Sequence, residues 1–552
     1  MHHCLLVAEI LDNIFGFVAV AKPDRTMPLR PQPVYWARLD RACKAFSSPA
    51  LDQLWSSLYS IDPILRLLPD GTWRKTKGSD DENDVVLLRA LTAEDWISAE
   101  KYTRRVRSLH IVASSRVEEI LEVIHKSIPV LPVCPGLRCL RWVGSPERIG
   151  LFTRHLSLRL ELYERDVGNW DLDVLRPIID GGALAGVEDL EIALYAPNVG
   201  ILHPGYATLF RHLPRLKKLF SETLSQQTFS TALCLPVIER IEIPSPGLNT
   251  WTRHYPALTP STTLNAIHLA YTTVEFVTKF LENASSRRAL KELCFANDSL
   301  NTSSTMARFY DTLATRSDPQ RLQTLSFRYT EDNSATEPPE NGLDAYVVKG
   351  SQLRTLFRFI NLQTVTLMAS AGFELDDATM KDLTLAWPRL VKLELCSATD
   401  VEVRPVTTGR SLLHIARNCP ALERLVLPMD LTTYAHSTAG AIPTNNIPAF
   451  ESYRDARPVQ KALTSLNVCT SPIEYPNSVA QFLTSIFPSL KRVEVAAKAD
   501  WIRDLVDGDE LFAENAAAQD WYEIWDQVDG VMSAFQAARA EERYCADLGE
   551  AR

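Results

Sequence analysis

Chains that make or break bonds usually carry their reactive groups at short, fixed spacings, and very few such spacings occur here. There is no G-x-x-x-x-G-K phosphate loop, no G-x-G-x-x-G, no G-x-S-x-G and no H-E-x-x-H. The 10 cysteines include no C-x-x-C pair; the nearest two are Cys134 and Cys139, so zinc-ligand spacing is missing. Among 11 histidines, His2 and His3 are adjacent, and His203 and His212 flank a short helical stretch; neither pair makes a metal set. Acids are many but scattered, without paired carboxylates suited to proton transfer. The expectation is a protein that is not an enzyme and needs no metal or cofactor. What does recur is a pair of mostly polar residues at alternate positions of one short motif: Asp189 and Glu191, Arg240 and Glu242, Lys392 and Glu394, Arg424 and the apolar Val426, Arg492 and Glu494. Residues two apart on a strand share a face, so these groups can do recognition chemistry, forming ion pairs and hydrogen bonds with another macromolecule. Arg240, Glu242, Lys392, Glu394, Arg424 and Arg492 are the candidate substrate contacts. The alternative for most of them is an ordinary solvated sheet surface.

The elements that must position these residues follow from the motif itself, Leu-x-x-Leu-x-Leu or its Ile/Val/Phe equivalents. Copies begin at Val106, Leu137, Val187, Ile238, Leu264, Leu290, Leu322, Leu362, Leu390, Leu422, Leu463 and Leu490. A degenerate copy stands at Leu216-Leu219, and LSLRLELY near Leu158 is a further candidate. Such a motif at periods near or a little above 20–29 residues defines a leucine-rich repeat. Helices stand between the copies: TTVEFVTKFLENAS, GRSLLHIARNCP and NSVAQFLTSIFP, the last two ending at Cys-Pro or Phe-Pro. One strand–helix unit cannot bury its apolar face alone, so the units must stack into a parallel sheet with helices on one side. The polar pairs then project from the other, concave side. Three polar insertions, LLPDGTWRKTKGSDDEND, TEDNSATEPPENG and PMDLTTYAHSTAGAIPTNN, read as surface loops. The stretch 509–544 places Trp521, Ile524, Trp525, Val528 and Val531 or Met532 on one face of a C-terminal helix that would cover the last sheet edge.

Composition limits the partners. The chain has 552 residues with a formal net charge of -10, and its pI is about 5.7, so a phosphate backbone is a poor default ligand and no nucleic acid is expected. The tightest basic cluster, Arg104, Arg105 and Arg107, reads as a solvated strand edge. No apolar stretch is long enough to cross a bilayer. The N-terminal run LLVAEILDNIFGFVAVA is not preceded by Lys or Arg, and Glu9, Asp12 and Asn13 interrupt it, so it does not read as a secretory signal. The expected compartment is cytoplasmic and/or nuclear, with cysteines reduced.

The first sixty residues read as helices separated by an extended linker. Over residues 5–18 the polar residues Glu9, Asp12, Asn13 and Gly16 form one narrow stripe and nearly everything else is apolar. A Pro-rich linker, KPDRTMPLRPQP, follows. Leu39, Cys43 and Phe46 then share a helical face, Ser48 and Pro49 are expected to break it, and Leu51, Leu54, Trp55 and Leu58 line up beyond. The series Leu6-Val7-Ala8-Glu9-Ile10-Leu11, Leu39-x-Arg41-x-Cys43-x-x-Phe46 and Leu54-Trp55-x-x-Leu58 resembles the F-box. The continuation PILRLLPDG is similar to fungal F-box proteins of the basidiomycete type, and RNCPALERL resembles the cysteine-type repeats common in that family. Val7 stands where the family usually has proline, and the linker lengthens the gap between the first two helices. Repeat and resemblance together predict an α/β fold: a short N-terminal three-helix F-box-like module (1–68), an acidic loop and connector (69–103), an irregular leucine-rich-repeat strand–helix solenoid (104–500), and a C-terminal capping helix and tail (501–552). The F-box resemblance implies a substrate-recognition adaptor of a Skp–cullin–F-box ubiquitin ligase. Leu6, Ile10 and Leu11 would dock on the Skp-family adaptor, and the solenoid would take a protein substrate. The competing expectation is a repeat scaffold whose N-terminal helices only cap the solenoid.

Overall fold

The structure is a computed structural model. It describes residues 10–11, 13–14, 33–77, 83–112, 114–127, 132–143, 148–152, 157–163, 184–195, 205–222, 224–244, 262–283, 289–297, 299–330, 342–398, 404–432, 458–495, 524–539 and 541. The chain divides into two compact units, Met1–Gly247 and Leu248–Arg552. Among the described residues the first unit holds seven parallel strands, β1 (Ser57–Leu58), β2 (Ser108–Val112), β3 (Cys139–Val143), β4 (Ser157–Tyr163), β5 (Asp189–Tyr195), β6 (Lys218–Ser221) and β7 (Arg240–Ile243), ordered as in the chain. The second holds a run of eight, β8 (Ala266–Leu269), β9 (Glu292–Asn297), β10 (Thr324–Tyr329), β11 (Thr364–Ala369), β12 (Lys392–Ser397), β13 (Arg424–Val426), β14 (Ser465–Asn467) and β15 (Arg492–Glu494), again in chain order, beside a short separate parallel pair, Val348–Lys349 with Phe373–Glu374.

The register explains why the motif is so regular. Leu58 pairs with Leu109, then Leu140, Leu158, Leu190, Leu219 and Ile241 in the first unit. In the second, Ile267, Leu293, Leu325, Val365, Leu393, Leu425, Leu466 and Val493 form the same ladder. Each repeat thus puts the same motif position beside its neighbour, and all these side chains are buried. Burying a Leu or Val in this way contributes roughly 1.5–3 kcal/mol, before chain entropy is set against it. Helices cover that face: Phe309, on Ser303–Arg316, meets the Phe295 ring of β9 edge-on at 5.2 Å.

The helices start and stop for local reasons. Ser225, Thr273, Thr302 and Asp376 each accept from the backbone N–H three residues on, an N-cap worth about 1 kcal/mol. Three helices, Asp377–Ala386, Gly409–Asn418 and Pro476–Ile486, end in one way. Trp387, Cys419 and Phe487 take φ between -125° and -119° with ψ 61–74°, and each precedes a proline, which disfavours a further helical residue there. Four residues past these helix ends the turns stack: Glu423 and Arg424 N–H both donate to Val391 O, as Val391 and Lys392 do to Gln363 O.

The N-terminal helices and connector depart from expectation. The break falls at Cys43, which is extended, and not at Ser48-Pro49; Pro49 lies inside the helix Lys44–Ser56. The first strand follows at once, since Ser57–Leu58 joins the sheet far ahead of residue 104. The first insertion is not simply a loop, because Trp73–Lys77 and Asn83–Leu87 pair antiparallel. Burial of Val85 anchors the pair. Most of the other two insertions, and the SDDEND acids Asp80 and Asp81, lie outside the described residues. At the far end, residues 524–539 are helical with Trp525, Val528 and Met532 buried; Trp521 lies outside the described residues. Asp529 accepts from Val493 N–H of β15 at 3.1 Å, and Trp525 Nε1 donates to Ser471 O at 2.9 Å. Among the described residues no helix is long and apolar enough to cross a membrane.

Candidate functional site

Zero register turns the open face of each sheet into rungs of equivalent positions. In the first unit Arg159 pairs with Glu191 across one strand boundary at 3.0 Å. Arg240 and Glu242 pair along β7 at 3.6 Å. Asp189 is half-buried on this face, and burial raises its carboxyl above the ordinary range against the pull of Lys218 and Ser157. In the second unit His268 Nε2 lies 3.0 Å from Glu292 on the neighbouring strand, and Arg492 pairs with Glu494 within β15.

The densest arrangement centres on Glu394, in the middle of β12, whose side chain is only 4% exposed. Oε1 lies 3.0 Å from Lys392 Nζ and 3.0 Å from Arg424 Nε. Oε2 accepts from Thr366 Oγ1 at 2.8 Å and from Arg328 Nη2 at 3.4 Å. Four strands supply these groups: Arg328 from β10, Thr366 from β11, Lys392 and Glu394 from β12, Arg424 from β13. The positions are forced by register, since Thr366 stands opposite Glu394 and Lys392 opposite Arg424. A carboxylate removed from water needs compensation at each oxygen, and here each receives two partners.

Of the six candidate substrate contacts, the structure brings Lys392, Glu394 and Arg424 together, pairs Arg240 with Glu242 in the other unit, and leaves Arg492 beside its own strand's Glu494. Arg328 escaped the sequence reading. It sits two residues past the motif's polar pair on β10, so carrying the alternation of Thr324 and Ser326 one step further would have found it. The arginines near residue 105 are locally engaged: Arg104 with Glu100, Arg105 with Asp52, and Arg107 with Gly136 O at 2.9 Å. Among the described residues no group of three His, Cys, Asp or Glu could hold a metal ion.

At the N-terminus, Leu11 is 2% exposed and packs with Trp36 and Ala50, against Leu39, Phe46 and Leu54. Ile10 is 38% exposed and Ile14 39% exposed. Leu6 lies outside the described residues.

The architecture defines a class: a mixed α/β repeat protein with parallel sheets, one face sheathed by helices and the other lined with charge. No family model matches the chain, and no curated protein matches it. Among solved structures it is similar to the leucine-rich-repeat-containing protein LegL7 from Legionella pneumophila, at 12% identity and a TM-score of 0.27, over 56% of this chain and 89% of that one.

Proposed function

We propose that this chain is a repeat-based protein-interaction scaffold that serves as the substrate-recognition subunit of a Skp–cullin–F-box type ubiquitin ligase. The observation that carries the scaffold reading is the open face of the second unit, where a repeat-determined register gathers cations from three strands around one buried acid. The adaptor reading leans on the F-box resemblance of the first sixty residues, together with Ile10 and Ile14 on the outside of a helical cluster that feeds directly into the first strand. In this role the N-terminal helices hold the Skp-family adaptor, the C-terminal helix caps the last strand, and the open face presents a protein substrate. The chain contributes proximity rather than chemistry, raising the effective concentration of substrate lysines near a charged conjugating enzyme. It needs no cofactor, engages no nucleic acid or membrane, and works in the cytoplasm or nucleus.

A second reading has its own observation. Leu11, one of the three anchors the resemblance names, lies inside the chain's own helical cluster. That favours helices that merely close the sheet's first edge. The two readings separate in a pull-down with purified Skp-family adaptor, comparing the wild-type chain with an Ile10→Asp/Ile14→Asp variant. An acid at either exposed position leaves the helical cluster intact but is costly in an apolar interface. Capture by wild type and loss in the variant supports the ligase subunit. No capture by a folded wild-type chain leaves the plain scaffold.

A further inference from the structure

The Glu394 carboxylate is engaged from within: Thr366 and Arg328 donate hydrogen bonds to one oxygen, and Lys392 and Arg424 stand as ion-pair partners beside the other. The cations are in a different position. An ammonium carries three N–H groups and a guanidinium five, so Lys392 and Arg328 retain donors beyond those given to Glu394, and both side chains are partly exposed. Three cations converge on one acid, and the directly neighbouring positions add no second one; the next acids along these rungs are Glu292, beside Thr324, and Glu494, beside Asn467. Beside Thr366 and Glu394 stand Ser326, Val426 and Asn467; beside Lys392 and Arg424 stand Thr324, Thr364 and Ser465. This local positive excess sits on a chain whose net charge is -10.

We propose that Arg328, Lys392 and Arg424 form a docking platform for an acidic, carboxylate-bearing segment of a protein partner, with Glu394 as the positioning residue. The inference deepens the scaffold reading and rests on it. The three cationic groups all lie within 3.4 Å of one carboxylate, so the platform fits one or two acidic side chains rather than a run of phosphates. The internal Glu394 shows the geometry in which these cations hold a carboxylate, and a partner's acid repeats it from the solvent side. A nucleic acid, which needs many spread contacts, would also meet the repulsion of an acidic chain.

The test is a fluorescence-anisotropy titration of the full chain with a fluorescein-labelled peptide of alternating Glu and Ser. Binding that weakens with added salt is expected. Arg328→Gln/Lys392→Gln should raise Kd by about tenfold or more. Lys381→Gln/Arg358→Gln, which removes the same charge from exposed residues on the helical side, should leave Kd within about twofold of wild type. Glu394→Gln adds net positive charge, so tighter binding would show that Glu394 competes with the ligand and would overturn its positioning role; weaker binding supports it. Failure of wild type to bind, equal losses in the two double variants, or preference for the serine-phosphorylated peptide or a single-stranded oligonucleotide would each overturn the acidic-segment assignment. Peptide binding does not involve the Skp-family adaptor. A failed titration beside a successful adaptor pull-down removes this inference alone, and the reverse removes the ligase role alone.

Discussion

Glu394→Gln separates a held charge cluster from a decorative one. Glutamine keeps the volume and one acceptor oxygen, but it loses the charge that draws Lys392, Arg424 and Arg328 inward. Removing one partner of a buried ion pair typically costs about 3–5 kcal/mol, most of it from the charge left behind. Here the cations are partly exposed and can turn toward water, so that figure is discounted for screening to about 2–3 kcal/mol. The loss should be local. Hydrogen exchange by mass spectrometry on peptides covering β11, β12 and β13 would read it as exchange faster by roughly 30- to 150-fold, given 1.4 kcal/mol per factor of ten. Strands of the first unit should be unchanged. Glu292→Gln serves as the comparison, because Glu292 is more exposed and holds His268, so it should cost no more than about 1 kcal/mol. Exchange in β11–β13 within about twofold of wild type would refute the view that Glu394 holds these strands' charges in place.

Three further outcomes follow from single side chains. Gln460 is buried, donates to Leu422 O at 2.7 Å and Cys419 O at 3.2 Å, and accepts from Leu463 N–H at 2.8 Å; Gln460→Leu should cost about 1–3 kcal/mol, seen as a lower urea midpoint at unchanged slope. Trp525→Ala should cost about 3–5 kcal/mol and free Val493 N–H from Asp529, raising exchange at β15 and promoting self-association measurable by light scattering. Asp376 is held below the usual carboxylate range, chiefly by the Thr379 hydroxyl and its backbone N–H. With a folded value below the unfolded one, its contribution is complete above about pH 4 and disappears as pH falls through the folded value, so Asp376→Asn should flatten the acid limb of the stability–pH curve.

The parts of this fold legible in the sequence were those set by repetition. Leu-x-x-Leu-x-Leu predicted the strands of the repeats because the same apolar position must stack on itself, and Cys419-Pro420 and Phe487-Pro488 marked helix ends because a residue before proline leaves the helical region. Elements without repetition were missed. Ser57–Leu58 is too short to carry a pattern and owes its strand to Ser108 and Leu109. The antiparallel pair Trp73–Lys77 and Asn83–Leu87 hid behind turn-forming composition. Lys44–Ser56 runs through Pro49, where tertiary packing of Ala50 against Leu11 and Trp36 overrides the local preference. The polar pairs were legible one strand at a time. Which cation meets which acid is decided between strands, and only the register shows that Thr366 and Arg424 reach the same carboxylate.

That register also explains why the Glu394 cluster argues for use rather than mere stability. Lys392 and Arg424 are directly opposed on neighbouring strands, and like charges at that separation destabilise a parallel pair. Thr364 and Ser465, which flank the two cations on the same rung, are neutral. Glu394 offsets the repulsion from the adjacent rung, and it can do so only by being desolvated, which is itself unfavourable. Like charges are also opposed at Arg141–Arg159 and Lys218–Arg240 in the first unit; what sets the Glu394 cluster apart is that the acid between its cations is buried. Local rules are broken in folded proteins most often where a surface has work to do, and here the break sits on the one face that the helices leave open.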